Sequence, residues 1–176
     1  MKIPFYILGL LMRYGPQQGY KIKQLMSEGI ADFTKIKQAT VYNNLEKLKN
    51  NGYVNSNVDN NGTGPEKIVY SINDSGITYF NSLLNKVLQK SYNAEFDFDG
   101  ALYFHSFTDN NTIIKNLEIQ GEYIQNHLKG LIINKEITIS NLLPEYRVYC
   151  KSIFNHHIYH IEAELKWIKE TIEDLS

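Results

Sequence analysis

The last part of the chain carries seven apolar residues whose spacings alternate between four and three. They are Phe154, Ile158, Ile161, Leu165, Ile168, Ile172 and Leu175. A repeat of 3.5 residues is typical of a helix that packs along its whole length against another helix. The sequence therefore predicts a long last helix, and we interpret the first six residues of this apolar seam as a dimerisation surface.

The same helix carries apolar residues on a second side. These are Tyr146, Tyr149, Ile153 and Trp167. A helix that is apolar on two sides is expected to pack on its own domain with one side and on the sister subunit with the other.

An earlier segment shows the same helical period. Its apolar positions are three or four residues apart, at Ile113, Leu117, Gly121, Ile124, Leu128 and Leu131. This spacing predicts another long helix. Pro144 separates the two segments and is favourable in the first turn of a helix. A shorter helix is expected over about residues 101–106.

The first part of the chain predicts three short helices, over residues 3–13, 20–28 and 38–51. A segment rich in Gly, Pro and Gln at 14–19 is expected to form a turn. In the second helix the residues expected to face the core are Tyr20, Ile22, Leu25 and Met26. In the third helix they are Val41, Leu45 and Leu48.

After Gly52 the apolar pattern changes from helical to alternating. Residues 53–58 and 67–72 are predicted strands, and the segment between them consists almost wholly of turn-forming residues. Helix, turn, helix, helix and hairpin is the order of a winged helix-turn-helix. A further helix is expected to begin near Asn73 or Ser75 and to run to about Gln89.

We therefore expect a mainly α fold of the α+β type, with a two-stranded wing and an antiparallel helical C-terminal region. The polar segment 93–100 is the predicted boundary. It divides a winged helix-turn-helix DNA-binding domain at 1–90 from a dimerisation and effector region at 91–176.

The charge distribution indicates which end of the chain meets a polyanion. Residues 1–54 contain eight Lys and Arg against three Asp and Glu, whereas residues 76–176 contain nine against thirteen. A basic head on an acidic body fits a protein that presents one end to double-stranded DNA. No apolar run is long enough for a membrane span, and the single Cys150 favours a reducing compartment, so we expect a cytoplasmic protein.

The third predicted helix carries small polar side chains suited to the major groove. Gln and Asn can bond base edges, Ala and Thr can contact thymine methyl groups, and Tyr and Lys can reach phosphates. The predicted DNA-binding residues in and around this helix are Lys21, Lys35, Lys37, Gln38, Ala39, Thr40, Tyr42, Asn43, Asn44 and Lys47, and those of the wing are Asn61, Thr63 and Lys67. An ordinary solvated helix face would show part of the same pattern.

Several short segments together resemble the PadR family of bacterial transcriptional regulators. They are Ile7-Leu8-Gly9-Leu10-Leu11, Gly19-Tyr20, the run from Ala39 to Leu48, Gly52-Tyr53-Val54, the run from Glu66 to Ile72, and Gly76. The resemblance covers about residues 3–83. It implies a homodimer that binds a palindromic operator, usually as a repressor. It also implies that a small aromatic or hydrophobic effector releases the protein from the operator.

Two other groups of residues are candidates for ligand sites. Aromatic residues that could line an effector pocket are Phe96, Phe98, Tyr103, Phe104 and Trp167, although aromatic residues at helical spacing more often form a core. His156 and His160 are four residues apart and could bind a metal, but a solvated helix face is the preferred interpretation, and no metal or cofactor is predicted.

No motif for catalysis is present in the sequence, since Cys150 has no adjacent base and no phosphate-binding loop occurs. The alternative to a DNA-binding regulator is a winged-helix module that binds proteins and has no role on DNA.

Overall fold

The computed structural model describes residues 2–29, 39–59 and 67–176. The chain divides into two compact units, Met1–Tyr92 and Asn93–Ser176. Each unit has an apolar core of its own. Among the described residues, no helix combines the length and apolar character that crossing a membrane requires.

Within the described ranges, the first unit contains four helices and three strands. In chain order they are α1 (Lys2–Tyr14), β1 (Gln17–Gln18), α2 (Gly19–Gly29), α3 (Ala39–Asn50), β2 (Val54–Asp59), β3 (Lys67–Ile72) and α4 (Asp74–Leu88). This is the predicted order of a winged helix-turn-helix.

The core of this unit is formed by residues from the helices and the sheet. Ile7, Leu8 and Leu11 of α1 are no more than 1% exposed, and so are Val41 and Leu45 of α3. Because the stripe on α3 fills this core, the opposite side of the helix faces solvent, as its spacing predicted.

The predicted two-stranded wing is present as β2 and β3, and among the described residues a third strand joins it. β3 pairs antiparallel with β2 on one side and with β1 on the other, where Gln17 lies opposite Tyr70 and Gln18 opposite Val69. The sequence predicted a turn at these glutamines because they have no strand-forming pattern. Tertiary pairing with β3 creates this two-residue strand.

One core residue predicted for α2 is wrong. Tyr20 is 59% exposed, whereas Ile22 and Met26 are buried. Ile22 and Met26 are four residues apart and share one face of the helix, and Tyr20, two residues before Ile22, projects from the opposite side.

Helix α4 begins at a tight junction with the strands. The side chain of Asn73 accepts a hydrogen bond of 3.0 Å from the backbone N–H of Gly76, which caps the helix. A Cβ added at Gly76 would overlap the carbonyl oxygen of Tyr53 and a side-chain carbon of Ile72. Only glycine therefore fits at this junction.

The second unit consists of α5 (Asp97–Tyr103), a short 3-10 helix (His105–Phe107), α6 (Asn110–Ser140) and α7 (Pro144–Leu175). The helix predicted at 101–106 begins earlier and ends earlier than expected. Asp97 and Asp99 lie in its first turn, where acidic side chains interact favourably with the helix dipole.

Helices α6 and α7 form an antiparallel hairpin, joined by residues 141–143. Near the connection, Leu128 and Leu131 of α6 pack with Phe154 and Ile158 of α7. At the other end, Ile113 and Leu117 pack with Ile168. There the side-chain amide of Asn110 donates a hydrogen bond of 3.1 Å to the carbonyl oxygen of Leu175.

The apolar seam on α7, which the sequence predicted to be a dimerisation surface, packs on α6 of the same chain. Phe154, Ile158 and Ile168 are buried, and Ile161, Leu165 and Ile172 are partly buried, all packed in the two clusters that α7 shares with α6. The six residues predicted to meet a second subunit, which are Phe154, Ile158, Ile161, Leu165, Ile168 and Ile172, therefore meet α6 of their own chain. A heptad pattern requires a helical partner, but it does not specify which chain provides it.

Candidate nucleic-acid interface

The outer face of α3, which is defined by the exposed residues Asn43, Glu46, Lys47 and Asn50, lies opposite its buried stripe. Asn43 and Lys47 are one helical turn apart, and Asn50 is two turns from Asn43. The arrangement places two amides, an ammonium group and a carboxylate on one exposed side of the helix. Asn50 was missed from the sequence, although its spacing of seven residues from Asn43 would have identified it.

Asn44 differs from Asn43 in its surroundings. Its side-chain amide donates a hydrogen bond of 2.7 Å to the carbonyl oxygen of Thr40, and the residue is partly buried. The amide nitrogen is therefore engaged within the helix, whereas Asn43 is exposed. Both were predicted to contact bases, and only Asn43 lies on the outer face.

Tyr42 lies between the outer face of α3 and the start of α2. A Cβ added at Gly19 would be 3.0 Å from Cε1 of the Tyr42 ring, so the absence of a side chain at Gly19 allows this close approach. Tyr42 is still 44% exposed. One part of the ring thus packs on α2, while the remainder faces solvent.

A buried tyrosine connects α3 to the sheet. Tyr70 of β3 is 3% exposed, and its phenol oxygen donates a hydrogen bond of 2.9 Å to Oε1 of Glu46. Burial and the carboxylate of Glu46 raise the pKa of Tyr70 to about 12. The sequence analysis missed this pair, and a lone carboxylate on an otherwise basic and polar helix was the available signal.

The basic residues predicted around α3 have different environments. Lys21 is partly buried, and its ammonium group donates a hydrogen bond of 3.0 Å to the side chain of Gln24. Lys67 is exposed at the start of β3, opposite Asp59 in the register of the hairpin. It therefore lies at the opposite end of β3 from Ile72, which packs against the core.

Five of the predicted DNA-binding residues lie outside the described residues. They are Lys35, Lys37, Gln38, Asn61 and Thr63. Ala39 is the first residue of α3.

The second unit contains a cleft with a volume of about 370 Å³, lined by Phe96, Phe98, Asp99, His160, Ala163, Glu164 and Trp167. Phe98 meets Trp167 edge to face, with ring centroids 5.7 Å apart. Three of the five predicted pocket residues, Phe96, Phe98 and Trp167, thus line one cleft. Tyr103 and Phe104 do not line it, because they lie at the end of α5, where they are 81% and 57% exposed.

The thiol of Cys150 is the only one in the chain, and it is partly buried. Burial raises the pKa of this thiol. A raised pKa disfavours the thiolate, which is the nucleophilic form.

Comparisons with known proteins agree with the first unit most closely. A family model described as "Transcriptional regulator PadR-like family" matches residues 7–82. The "Negative transcriptional regulator PadR" of Bacillus subtilis (strain 168) is 35% identical over 74 residues, which are 42% of this chain and 40% of that relative. The matched sequence thus spans less than half of the relative.

Solved structures share the fold over the whole chain. The crystal structure of Bacillus subtilis PadR in complex with operator DNA has a TM-score of 0.81 and 22% sequence identity, with full coverage of both chains. The structure of Bacillus subtilis PadR in complex with p-coumaric acid has a TM-score of 0.76 and 19% identity, and covers 98% of this chain and 94% of that one.

Proposed function

We propose that the chain is a homodimeric repressor of the PadR-like family of transcriptional regulators, because the family model matches residues 7–82 and a curated PadR is 35% identical over 74 residues. The proposed partner is a palindromic operator in double-stranded DNA. The related Bacillus subtilis protein is named a negative regulator, and its structure in complex with operator DNA shares the fold of this chain. The name of this 35% identical relative supports a repressor rather than an activator.

The observation that carries the proposal is the outer face of α3. Asn43 and Lys47 project from it, next to the half-exposed Tyr42, while Val41, Leu45 and Leu48 anchor the helix in the core. An exposed amide can make paired hydrogen bonds to adenine in the major groove, and a lysine and a tyrosine can bond phosphates. We assign base reading to Asn43 and phosphate contacts to Lys47, Tyr42 and Lys67.

The other residues in the DNA-binding proposal take supporting positions. Thr40 and Ala39 lie in the first turn of α3, where methyl groups can meet thymine. Lys21 borders the helix from α2. The proposal also includes DNA contacts beside α3 and in the wing, since ammonium, amide and hydroxyl groups can bond phosphates and bases. These residues are Lys35, Lys37, Gln38, Asn61 and Thr63.

We assign dimerisation to an exposed stripe on α6 in place of the seam on α7. The stripe consists of Ile119, Tyr123, Ile133 and Ile137, which are 59%, 74%, 60% and 55% exposed. Their helical spacing puts them on one side of α6, away from the residues that pack on α7. A second copy related by a two-fold axis would cover this stripe and present two copies of α3 to two operator half-sites.

The cleft of the second unit is the proposed effector site. Its volume lies within the range of sites for small molecules, and Phe96, Phe98 and Trp167 provide aromatic walls. The related PadR has been solved with p-coumaric acid, a small aromatic molecule. A regulator of this kind acts by binding DNA and an effector, so we propose that the protein has no catalytic activity. Because bacterial DNA lies in the cytoplasm, we propose that the protein is cytoplasmic.

Selection from a random duplex library, followed by titration of the selected duplex at several salt concentrations, tests the proposal. The full chain should enrich a sequence with two-fold symmetry. Its association constant should fall steeply with salt, because each phosphate neutralised releases counterions and contributes about 0.9 to the logarithmic slope. Failure to enrich any sequence, together with binding that does not respond to salt, would favour a protein-interaction module instead.

A further inference from the structure

Two histidines on α7 bring their ring nitrogens together on the exposed surface of the second unit. Nε2 of His156 and Nε2 of His160 are 3.2 Å apart, and the two rings meet edge to face with centroids separated by 4.7 Å. Both residues are exposed. The proposed DNA contacts and the proposed dimer stripe use neither histidine.

The separation of these two atoms matches the bite of a metal chelate. Imidazole nitrogens bind zinc at about 2.0–2.1 Å. Two such ligands on one ion lie about 2.9 Å apart at a right angle and about 3.4 Å apart at the tetrahedral angle, from the same bond length. The observed 3.2 Å falls between these limits. An ion could therefore bind both nitrogens without any movement of the backbone.

The alternative role of the pair is a hydrogen bond between the rings. Such a bond requires a proton on one of the nitrogens, and 3.2 Å lies at the upper end of the usual range for a nitrogen donor. A metal would replace this single long bond with two coordinate bonds. The two histidines are one turn apart on the same helix, so their relative position is already fixed before the ion binds.

We infer that His156 and His160 form a surface site for a divalent transition metal of the Cu²⁺, Ni²⁺ or Zn²⁺ class. Imidazole suits these ions, and the order of affinity favours Cu²⁺, whereas Mg²⁺ and Ca²⁺ require oxygen ligands. In the described ranges, no group of three or more His, Cys, Asp or Glu side chains could hold a metal. The pair thus contributes two ligands, and water completes the coordination of an exchangeable ion.

The position of the site provides a direct readout. His160 and Trp167 line the same cleft, and Trp167 is the single tryptophan of the chain. Bound Cu²⁺ quenches a nearby indole, because its unpaired electron opens a short-range route for loss of the excited state. Zn²⁺ has a filled d shell and does not quench in this way, so it can serve as a competitor.

The experiment is a titration of the full chain with Cu²⁺, followed by the fluorescence of Trp167. We expect saturable quenching with one ion per chain, reversed by a chelator and by excess Zn²⁺ and unaffected by Mg²⁺. His156→Gln and His160→Gln should each raise the dissociation constant at least about ten-fold, because one imidazole alone cannot chelate.

A matched control is His127→Gln on α6, which removes another exposed histidine and should leave the titration unchanged. The inference is overturned if His156→Gln and His160→Gln bind Cu²⁺ as the unaltered chain does, or if Mg²⁺ competes as well as Zn²⁺. Circular dichroism of each variant should show unchanged helix content, since both positions are exposed.

Discussion

The phenol oxygen of Tyr70 donates a hydrogen bond of 2.9 Å to Oε1 of Glu46, which joins strand β3 to helix α3. Tyr70 is almost fully buried, whereas Glu46 lies on the outer face of α3. The helix proposed to read DNA is thus positioned by its buried stripe and also by a side chain of the sheet.

Replacing Tyr70 with Phe should destabilise the first unit. The substitution removes the hydrogen bond to Glu46 and keeps the buried ring, so the free energy of unfolding should fall by about 1–2 kcal/mol. Urea denaturation measures the change. Tyr20→Phe is the matched control, because Tyr20 is 59% exposed and should change stability by less than about 0.5 kcal/mol.

The contribution of Tyr70 should also depend on pH. Its pKa is about 12 in the folded protein and about 10 in the unfolded chain. Because the folded value is the higher one, the stabilisation is complete below about pH 10 and is lost as the pH rises towards 12. The stability difference between the unaltered chain and Tyr70→Phe should therefore be constant up to about pH 10 and smaller at about pH 11. A difference that is unchanged at about pH 11 would contradict the raised pKa.

Asn43 and Lys47 should affect DNA binding in different ways. Asn43→Ala should reduce discrimination at one base pair of the selected operator by about 1–3 kcal/mol and leave the salt slope unchanged. Lys47→Ala should weaken binding to all sequences and reduce the slope by about 1. Fluorescence anisotropy with matched and mismatched duplexes separates these effects.

A suitable control for both substitutions is Lys129→Ala, which removes an exposed charge from α6. It should change neither quantity. If Asn43→Ala and Lys47→Ala also bind as the unaltered chain does, α3 is not the reading helix.

Two glycines should respond oppositely to alanine. Gly76→Ala places a methyl group on the carbonyl oxygen of Tyr53 and should cost at least about 2 kcal/mol of stability. Gly100 lies within α5 with open space around it, so Gly100→Ala should gain about 0.5–1 kcal/mol from the higher helix propensity of alanine. Thermal denaturation of the two variants tests the junction, and an unchanged melting temperature for Gly76→Ala would show that the backbone there can move.

Introducing one aspartate into each apolar surface should show which surface binds a second subunit and which packs within the chain. Ile133→Asp, on the exposed stripe of α6, should give a folded monomer. Ile158→Asp, in the seam of α7, should lose helix content, because it buries a charge that has no partner. Sedimentation and circular dichroism distinguish the two results. A folded monomer from Ile158→Asp would restore the seam as a subunit interface.

The sequence predicted those parts of the fold that depend on a regular pattern. The stripe Val41, Leu45 and Leu48 identified the core side of α3, and the seam of α7 identified a long packed helix. Patterns of this kind report that a face is covered, and they do not report what covers it. For that reason α6 was not recognised as the partner of the seam.

Parts that depend on particular side chains in three dimensions were not predictable in the same way. Strand β1 exists because Gln17 and Gln18 lie beside β3, and the bond between Tyr70 and Glu46 joins residues 24 positions apart. The sequence predicted five aromatic residues for the effector pocket, and three of them line the cleft. Tyr103 and Phe104 do not, because they lie at the end of α5, where they are exposed. Asn43 and Asn44 were indistinguishable until the bond from Asn44 to Thr40 was known.

The junction at Gly76 has a consequence for comparing distant sequences. The first turn of α4 lies directly on the backbone of Tyr53, so every codon change that replaces this glycine introduces an atom where none fits. A glycine three residues after a capping Asn, Asp or Ser, at the end of a wing strand, is therefore a physical requirement of this arrangement. It can anchor an alignment between chains whose remaining residues have diverged.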